Sequence, residues 1–218
     1  MAIWLCRAGK HGEHEQKFLE EGRIYLTWGR SDRDLNAVKD RDELRATLTE
    51  LYPDRKPGAI TQNSGQFWAF AKKMNVSDWV CLPSKQKTIH IGEITGEYVY
   101  VAGAESPYYH YHDVKWLELD IPRTNFDQDL LHSLGAFSTV CEIRRNDAEN
   151  RIRAMQKNSW RSVGIKHVID DDIDNPVIDS DVDLELTARD QIARMIAARF
   201  SGHAMEVLFG YDGLPHGQ

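Results

Sequence analysis

Between Asp78 and Val101 the chain reads DWVCLPSKQKTIHIGEITGEYVYV, and within it the hydrophobic period becomes two. Trp79 and Cys81 alternate with Val80 and Leu82, and Ile89, Ile91 and Ile94 recur across a second run. The breakers Pro83-Ser84 and Thr95-Gly96 divide the stretch into DWVCLPS, TIHIGEITG and EYVYVAG, and a fourth run, YYHYHDVKWLELD, follows from Tyr108. Four strand patterns in succession with short separators predict an antiparallel meander or small barrel.

Upstream, the pattern alternates strands with helices. AIWLC (2–6) predicts a short buried strand, HGEHEQKFLEEG (11–22) a Glu-rich helix stopped by Gly22, and RIYLTW (23–28) a second strand. DRDELRATLTELYP predicts an amphipathic helix starting near Asp40, with Leu44, Leu48 and Leu51 on one stripe. PGAITQNSGQFWAFAKKM predicts another, with Pro57 in its first turn. Downstream, FDQDLLHSLG predicts a short helix, FSTVCEI a last strand, and NDAENRIRAMQ a helix capped by Asn146 or Asp147. The predicted class is α+β, a mixed β-barrel with flanking helices over residues 1–160.

Residues 161–186 read as an acidic linker. Val168–Leu186 carries eight acids (Asp170, Asp171, Asp172, Asp174, Asp179, Asp181, Asp183, Glu185) and neither Lys nor Arg. The formal charge of the whole chain is −7, so the remainder stands at +1 and can carry a basic face. Residues 187–218 begin with one amphipathic helix, TARDQIARMIAARF, with Ile192, Met195, Ile196 and Phe200 on a stripe.

Hydrophobic content of 41% supports a real core. No stretch is long and apolar enough to span a bilayer, and MAIWLCRAGK is not a signal peptide. Cys6, Cys81 and Cys141 each sit in an apolar run without zinc spacing, as reduced core residues of a cytoplasmic protein do. Composition thus predicts a soluble protein without a membrane partner.

Active-site patterns are few. HYHD sets His110 and His112 on one strand face, and HGEH offers His11 and His14, but no third ligand is patterned near either pair. Both pairs read as surface histidines, so no metal site is expected. No phosphate loop and no activated Ser or Cys is present. A nuclease-like spacing such as Glu15–Lys17 falls in a helix and reads as ordinary surface charge. No catalytic residue is expected in this chain.

Aromatics carry the remaining signal. Trp28 ends a strand and is followed by Gly29 and the polar run Arg30–Asp34. A ring at a cavity rim there can stack on a nucleic-acid base for roughly 1–3 kcal/mol. TQNSGQ offers Asn63, Ser64 and Gln66 as hydrogen-bonding partners for a base edge. On composition alone, Trp28 as a core residue is the competing reading.

IWLCRAG, MNVSDWVCLP, IGEITGEYVY and VKWLELDIPR, in that order over residues 2–120, resemble the PUA-like superfamily in its EVE and YTH branch, with Ser77 where a glycine is usual. GxHGEHExxFLEEGxIYLTW, KPGAI, QFWAF, FDQDLLxSLGAF and EIRRNDAENRIRAM, followed by the terminal TARDQIARMIAARFSGH, resemble the N-terminal part of Mrr-type, modification-dependent restriction endonucleases. The resemblance implies a reader domain for DNA carrying a modified base, which is flipped out of the duplex at a cost of a few kcal/mol. It implies Trp28 as the stacking wall, Asn63, Ser64 and Gln66 as edge contacts, and Ser84 at the pocket rim. Arg30, Arg33, Lys85, Lys87 and Arg123 would hold phosphates. The family's nuclease domain, with its Mg²⁺, has no counterpart after His203, so this chain would lack cofactors of its own. Modified RNA is the alternative ligand, since the same cage suits a single-stranded base.

Overall fold

The computed structural model describes residues 1–27, 32–136 and 138–162. Trp28, Arg30 and, from residue 163, both the acidic linker and the 187–218 segment lie outside the described residues.

Among the described residues, seven strands form one sheet: β1 (Ile3–Cys6), β2 (Arg23–Tyr25), β3 (Trp79–Pro83), β4 (Thr88–Ile94), β5 (Val99–Tyr100), β6 (His110–Pro122) and β7 (Val140–Glu142). Five α-helices of the same residues accompany it: α1 (Glu15–Glu21), α2 (Arg41–Leu51), α3 (Pro57–Lys72), α4 (Gln128–Leu134) and α5 (Ala148–Gln156). The predicted α+β class holds. The strand order is β2-β6-β4-β3-β1-β7, with β5 added on β6, and the sheet curls into a half-barrel. β1 and β3 run parallel and every other pair is antiparallel; β3, β4 and β6 run antiparallel in turn, but the expected four-strand meander is broken at β5, which pairs with β6 rather than with β4.

Both faces of the central strands are covered, which is why β1 and β3 read as continuous apolar runs. Trp4, Cys6, Val80, Leu82 and Val114 face a core with Phe18 of α1, Leu44 and Leu48 of α2, and Ile60, Phe67 and Phe70 of α3. Ile3, Leu5, Trp79, Cys81, Ile89 and Ile91 face a second core with Leu130 and Leu134 of α4 and Ile152 and Met155 of α5. At Gly92 a Cβ would stand 2.4 Å from Val114 Cγ1 and 2.9 Å from Trp116 Cε3, so the β4–β6 approach needs glycine.

Local signals place the helix ends. Gly22 adopts φ 62°, ψ 46° and closes α1 through amide bonds back to Leu19 and Phe18. Asp40 caps α2, its carboxylate accepting from the amides of Asp42 and Glu43, and Pro57 occupies the first turn of α3. Two expectations change. Val99–Tyr100 is the whole of the strand predicted in EYVYVAG. Asp147 stands at the α5 N-cap with φ 51° and makes no side-chain cap bond; its Oδ1 instead accepts from Asn150 Nδ2 at 2.8 Å.

Candidate nucleic-acid interface

The C-terminal ends of β1, β3 and β6 and the start of β4 meet at one end of the sheet, as the pairs Thr88–Pro122, Pro83–Ile89 and Leu5–Cys81 require. Three predicted phosphate contacts converge there. Lys85 and Lys87 stand exposed on the β3–β4 turn, and the Arg123 amide donates to the Lys87 carbonyl at 3.2 Å. Arg7, which the sequence reading passed over, joins them from the end of β1. Its guanidinium donates to the carbonyls of Ala136 (3.0 Å) and Leu134 (3.4 Å) at the end of α4.

Burial lowers the pKa of Arg7, with Arg123 pushing the same way against an opposing influence of Cys141; burial alone lowers that of Arg123. Among the described residues no carboxylate pairs with Arg7, Lys85, Lys87 or Arg123. The nearby Asp120 is engaged by the Thr88 hydroxyl at 3.1 Å. Four cations thus cluster at this end, with the carboxylates of Glu15 and Asp120 close by. Arg33 lies elsewhere, 3.9 Å from Glu50.

Beneath this end lies a buried polar knot. Ser84, 4% exposed, donates to Glu15 Oε1 at 2.8 Å and accepts from the Gln86 amide at 3.1 Å. His90 Nδ1 accepts from the Asp120 amide (3.0 Å), which leaves Nε2 to carry the proton toward the same Glu15 oxygen (3.2 Å). Glu15 is therefore a bridge from α1 to the β3–β4 hairpin rather than ordinary surface charge. Ser84 serves that bridge.

The polar residues of α3 are spent within the fold. The Ser64 hydroxyl donates to the Thr61 carbonyl at 2.8 Å, and its residue is fully buried. With its amide oriented to satisfy both ends, buried Asn63 donates to the Ala59 carbonyl (3.2 Å) and accepts from Arg55 (3.1 Å). Gln66 Oε1 accepts from the amides of Thr139 and Val140 at 2.9 and 3.1 Å, closing the outer edge of β7. The structure brings none of the three to Ser84 or Lys85.

The described residues on either side of Trp28 meet the other end of β6. β2 pairs there, Tyr25 opposite Tyr111, and the Leu26 amide donates to the His110 carbonyl at 3.1 Å. Tyr98 and His110 stack with centroids 5.8 Å apart, joined by a 2.7 Å hydrogen bond between the Tyr98 hydroxyl and His110 Nδ1, and Tyr100 lies 5.5 Å from the same ring. The segment's far flank is tied to this cluster too: the Tyr100 hydroxyl donates to Asp32 (2.7 Å) and the Leu35 amide to the Tyr98 hydroxyl (3.2 Å). The Thr27 hydroxyl, next to Trp28, is buried without a partner.

His110 and His112 do share a face, as alternation predicts, but it is the inner one. Both are fully buried, which corrects the surface reading. Carbonyl oxygens occupy both nitrogens of His112: Gly96 at Nδ1 (3.1 Å) and Phe70 at Nε2 (2.8 Å). Among the described residues no group of three His, Cys, Asp or Glu side chains could hold a metal ion.

The loop before α1 runs between Lys85 and Tyr108. Gly12 lies against Lys85, a Cβ there standing 3.3 Å from Lys85 Cγ, while two residues on His14 Nδ1 meets the Tyr108 hydroxyl at 2.9 Å. Tyr108 continues into Tyr25 and Tyr111, with Lys17 4.6 Å above the Tyr108 ring and Arg23 4.1 Å above that of Tyr111.

No helix among the described residues is long and apolar enough to cross a membrane. Residues 3–142 match the model of a domain of unknown function, DUF8426, and the chain belongs to that family. No curated protein and no solved structure matches the chain.

Proposed function

We propose that this DUF8426 member is a PUA-like reader of modified bases in duplex DNA, acting in the cytoplasm as the recognition part of a modification-dependent restriction system. The observation that carries the reading is the group Arg7, Lys85, Lys87 and Arg123: four cations from three separate stretches of chain, without a carboxylate partner among the described residues. Phosphates would supply the matching charge and, with it, a steep salt dependence.

Trp28 is the stacking wall in this reading. Its pocket draws on the Tyr98–Tyr100–His110 cluster that carries both flanks of its segment. The unpartnered Thr27 hydroxyl is suited to the hydrogen-bonding edge of the base, a role the sequence reading gave to Asn63, Ser64 and Gln66. A competition between modified duplex DNA and single-stranded RNA of the same sequence tests the partner. The duplex should win; preference for the RNA would transfer the reading to modified RNA.

A further inference from the structure

His90 sits inside a β-bulge. Between the pairs Ile89–Ile121 and Ile91–Glu118 it is the single residue of β4 opposite two of β6, Leu119 and Asp120. Asp120 adopts φ 53°, and its amide donates to His90 Nδ1 at 3.0 Å. An amide only donates, so this nitrogen is unprotonated and the observed bulge belongs to a neutral ring. A proton on Nδ1 would set two donors against each other. The ring is fully buried, and among the described residues two carboxylates reach it. Glu15 of α1 stands 3.2 Å from Nε2, and Asp120 of β6 stands 3.9 Å from Nδ1. Its neighbours Leu82 on β3 and Trp116 on β6 carry no charge.

We infer that His90 is a proton-operated positioning residue for the cation end, exchanging the Asp120 amide for the Asp120 carboxylate when it takes up a proton. A solvent proton binds Nδ1, the amide lets go, and the carboxylate leaves the Thr88 hydroxyl to accept from the new N–H. Closing 3.9 Å to hydrogen-bond distance needs a movement of about 1 Å. Glu15 already faces Nε2 and balances the cation. The exchange touches the cation end directly. Thr88 follows Lys87, Asp120 lies three residues before Arg123, and the Arg123 amide donates to the Lys87 carbonyl at 3.2 Å. With a neutral ring, the exposed Asp120 carboxylate stays among these cations. With a protonated ring, one positive charge is added and that carboxylate is paired inward. Acidification therefore strengthens polyanion binding here, and a bound polyanion favours the proton by the same factor. This rests on the proposed reader role only in naming nucleic acid as the natural polyanion.

The test uses the full chain, labelled with ¹⁵N, and a heparin oligosaccharide, so it does not depend on any base being read. From pH 8 to 5 the Asp120 amide resonance should move with the His90 ring at one shared midpoint, and its exchange protection should fall about tenfold. Heparin should raise that midpoint by about 0.7 pH unit, the counterpart of about fivefold tighter binding to the protonated form. His90→Asn keeps an acceptor for the amide and takes up no proton. Asp120→Asn removes the carboxylate at an exposed position whose positive φ suits Asn. Between pH 8 and 5 the wild type should gain about fivefold more heparin affinity than either variant. An Asp120 amide that stays fixed while His90 titrates, a His90 ring that takes up no proton above pH 5, or a gain in either folded variant equal to that of the wild type would overturn the inference. A chain that passes yet shows no preference among modified duplexes would keep this exchange and lose the reader role.

Discussion

Trp4 Nε1 donates to Asp78 Oδ2 at 2.9 Å, with both side chains buried. The bond joins two stretches far apart in sequence, IWLC and MNVSD, across 74 residues. Asp78 also accepts from the amides of Ala2 (2.7 Å) and Asn75 (3.1 Å), so one carboxylate fastens β1 to the turn that starts β3. Asp78→Ala should cost about 3 kcal/mol, since it strands two amides and an indole. Asp78→Asn should cost less, because it keeps an acceptor. Urea denaturation of both variants measures the difference.

His112 sets its two ring nitrogens against two core carbonyls, one on α3 and one on the turn before β5, and its N–H serves one of them. His112→Leu conserves bulk and leaves that carbonyl without its donor, so a loss of about 1–3 kcal/mol is expected. Metal content measured by mass spectrometry should stay the same, whereas a ligand role would require it to fall.

His14 and Asp129 give stability a pH dependence of one sign in two windows. Burial lowers the His14 pKa, only partly offset by Glu13. The unfolded chain therefore binds the proton more readily, and the contribution is full above about pH 6.5 and declines as pH falls below it. Asp129 is held below the usual carboxylate range, chiefly by its hydrogen bond from Arg151. Its contribution is full above about pH 4 and is lost as pH falls through the lowered folded value. Because Asp129 is partly exposed, that second loss should be small. Melting curves from pH 8 to 3 should fall in two steps, with the upper one flattened in His14→Gln.

Lys85→Gln, Lys87→Gln and Arg123→Gln should each weaken binding to every duplex alike and reduce the slope of log affinity against log salt by about one. Trp28→Ala should melt like the wild type and lose only the preference for a modified base. A Trp28→Ala chain that fails to fold would place the ring in the core.

Much of the fold was legible because its signals are local. Asp40, Pro57 and Gly22 set helix ends through chemistry within a few residues, and period-two alternation marked β3, β4 and β6. What escaped was set by distant pairing. Alternation put His110 and His112 on one side of a strand but could not say that α3 covers that side. TQNSGQ reads as polar whether it meets solvent or, as Gln66 does, the edge of β7. Arg7 gave no signal, since its place beside Arg123 follows from β1 pairing with β3 and β3 with β4.

The central claim is that a modified base is read, and one titration tests it most directly. Fluorescence anisotropy compares a single duplex in four versions, unmodified, 5-methylcytosine, 5-hydroxymethylcytosine and N6-methyladenine, at two salt concentrations. The account predicts tighter binding to one modified version, with that preference persisting at the higher salt while all affinities fall. Equal affinity for all four versions at both salts would contradict it.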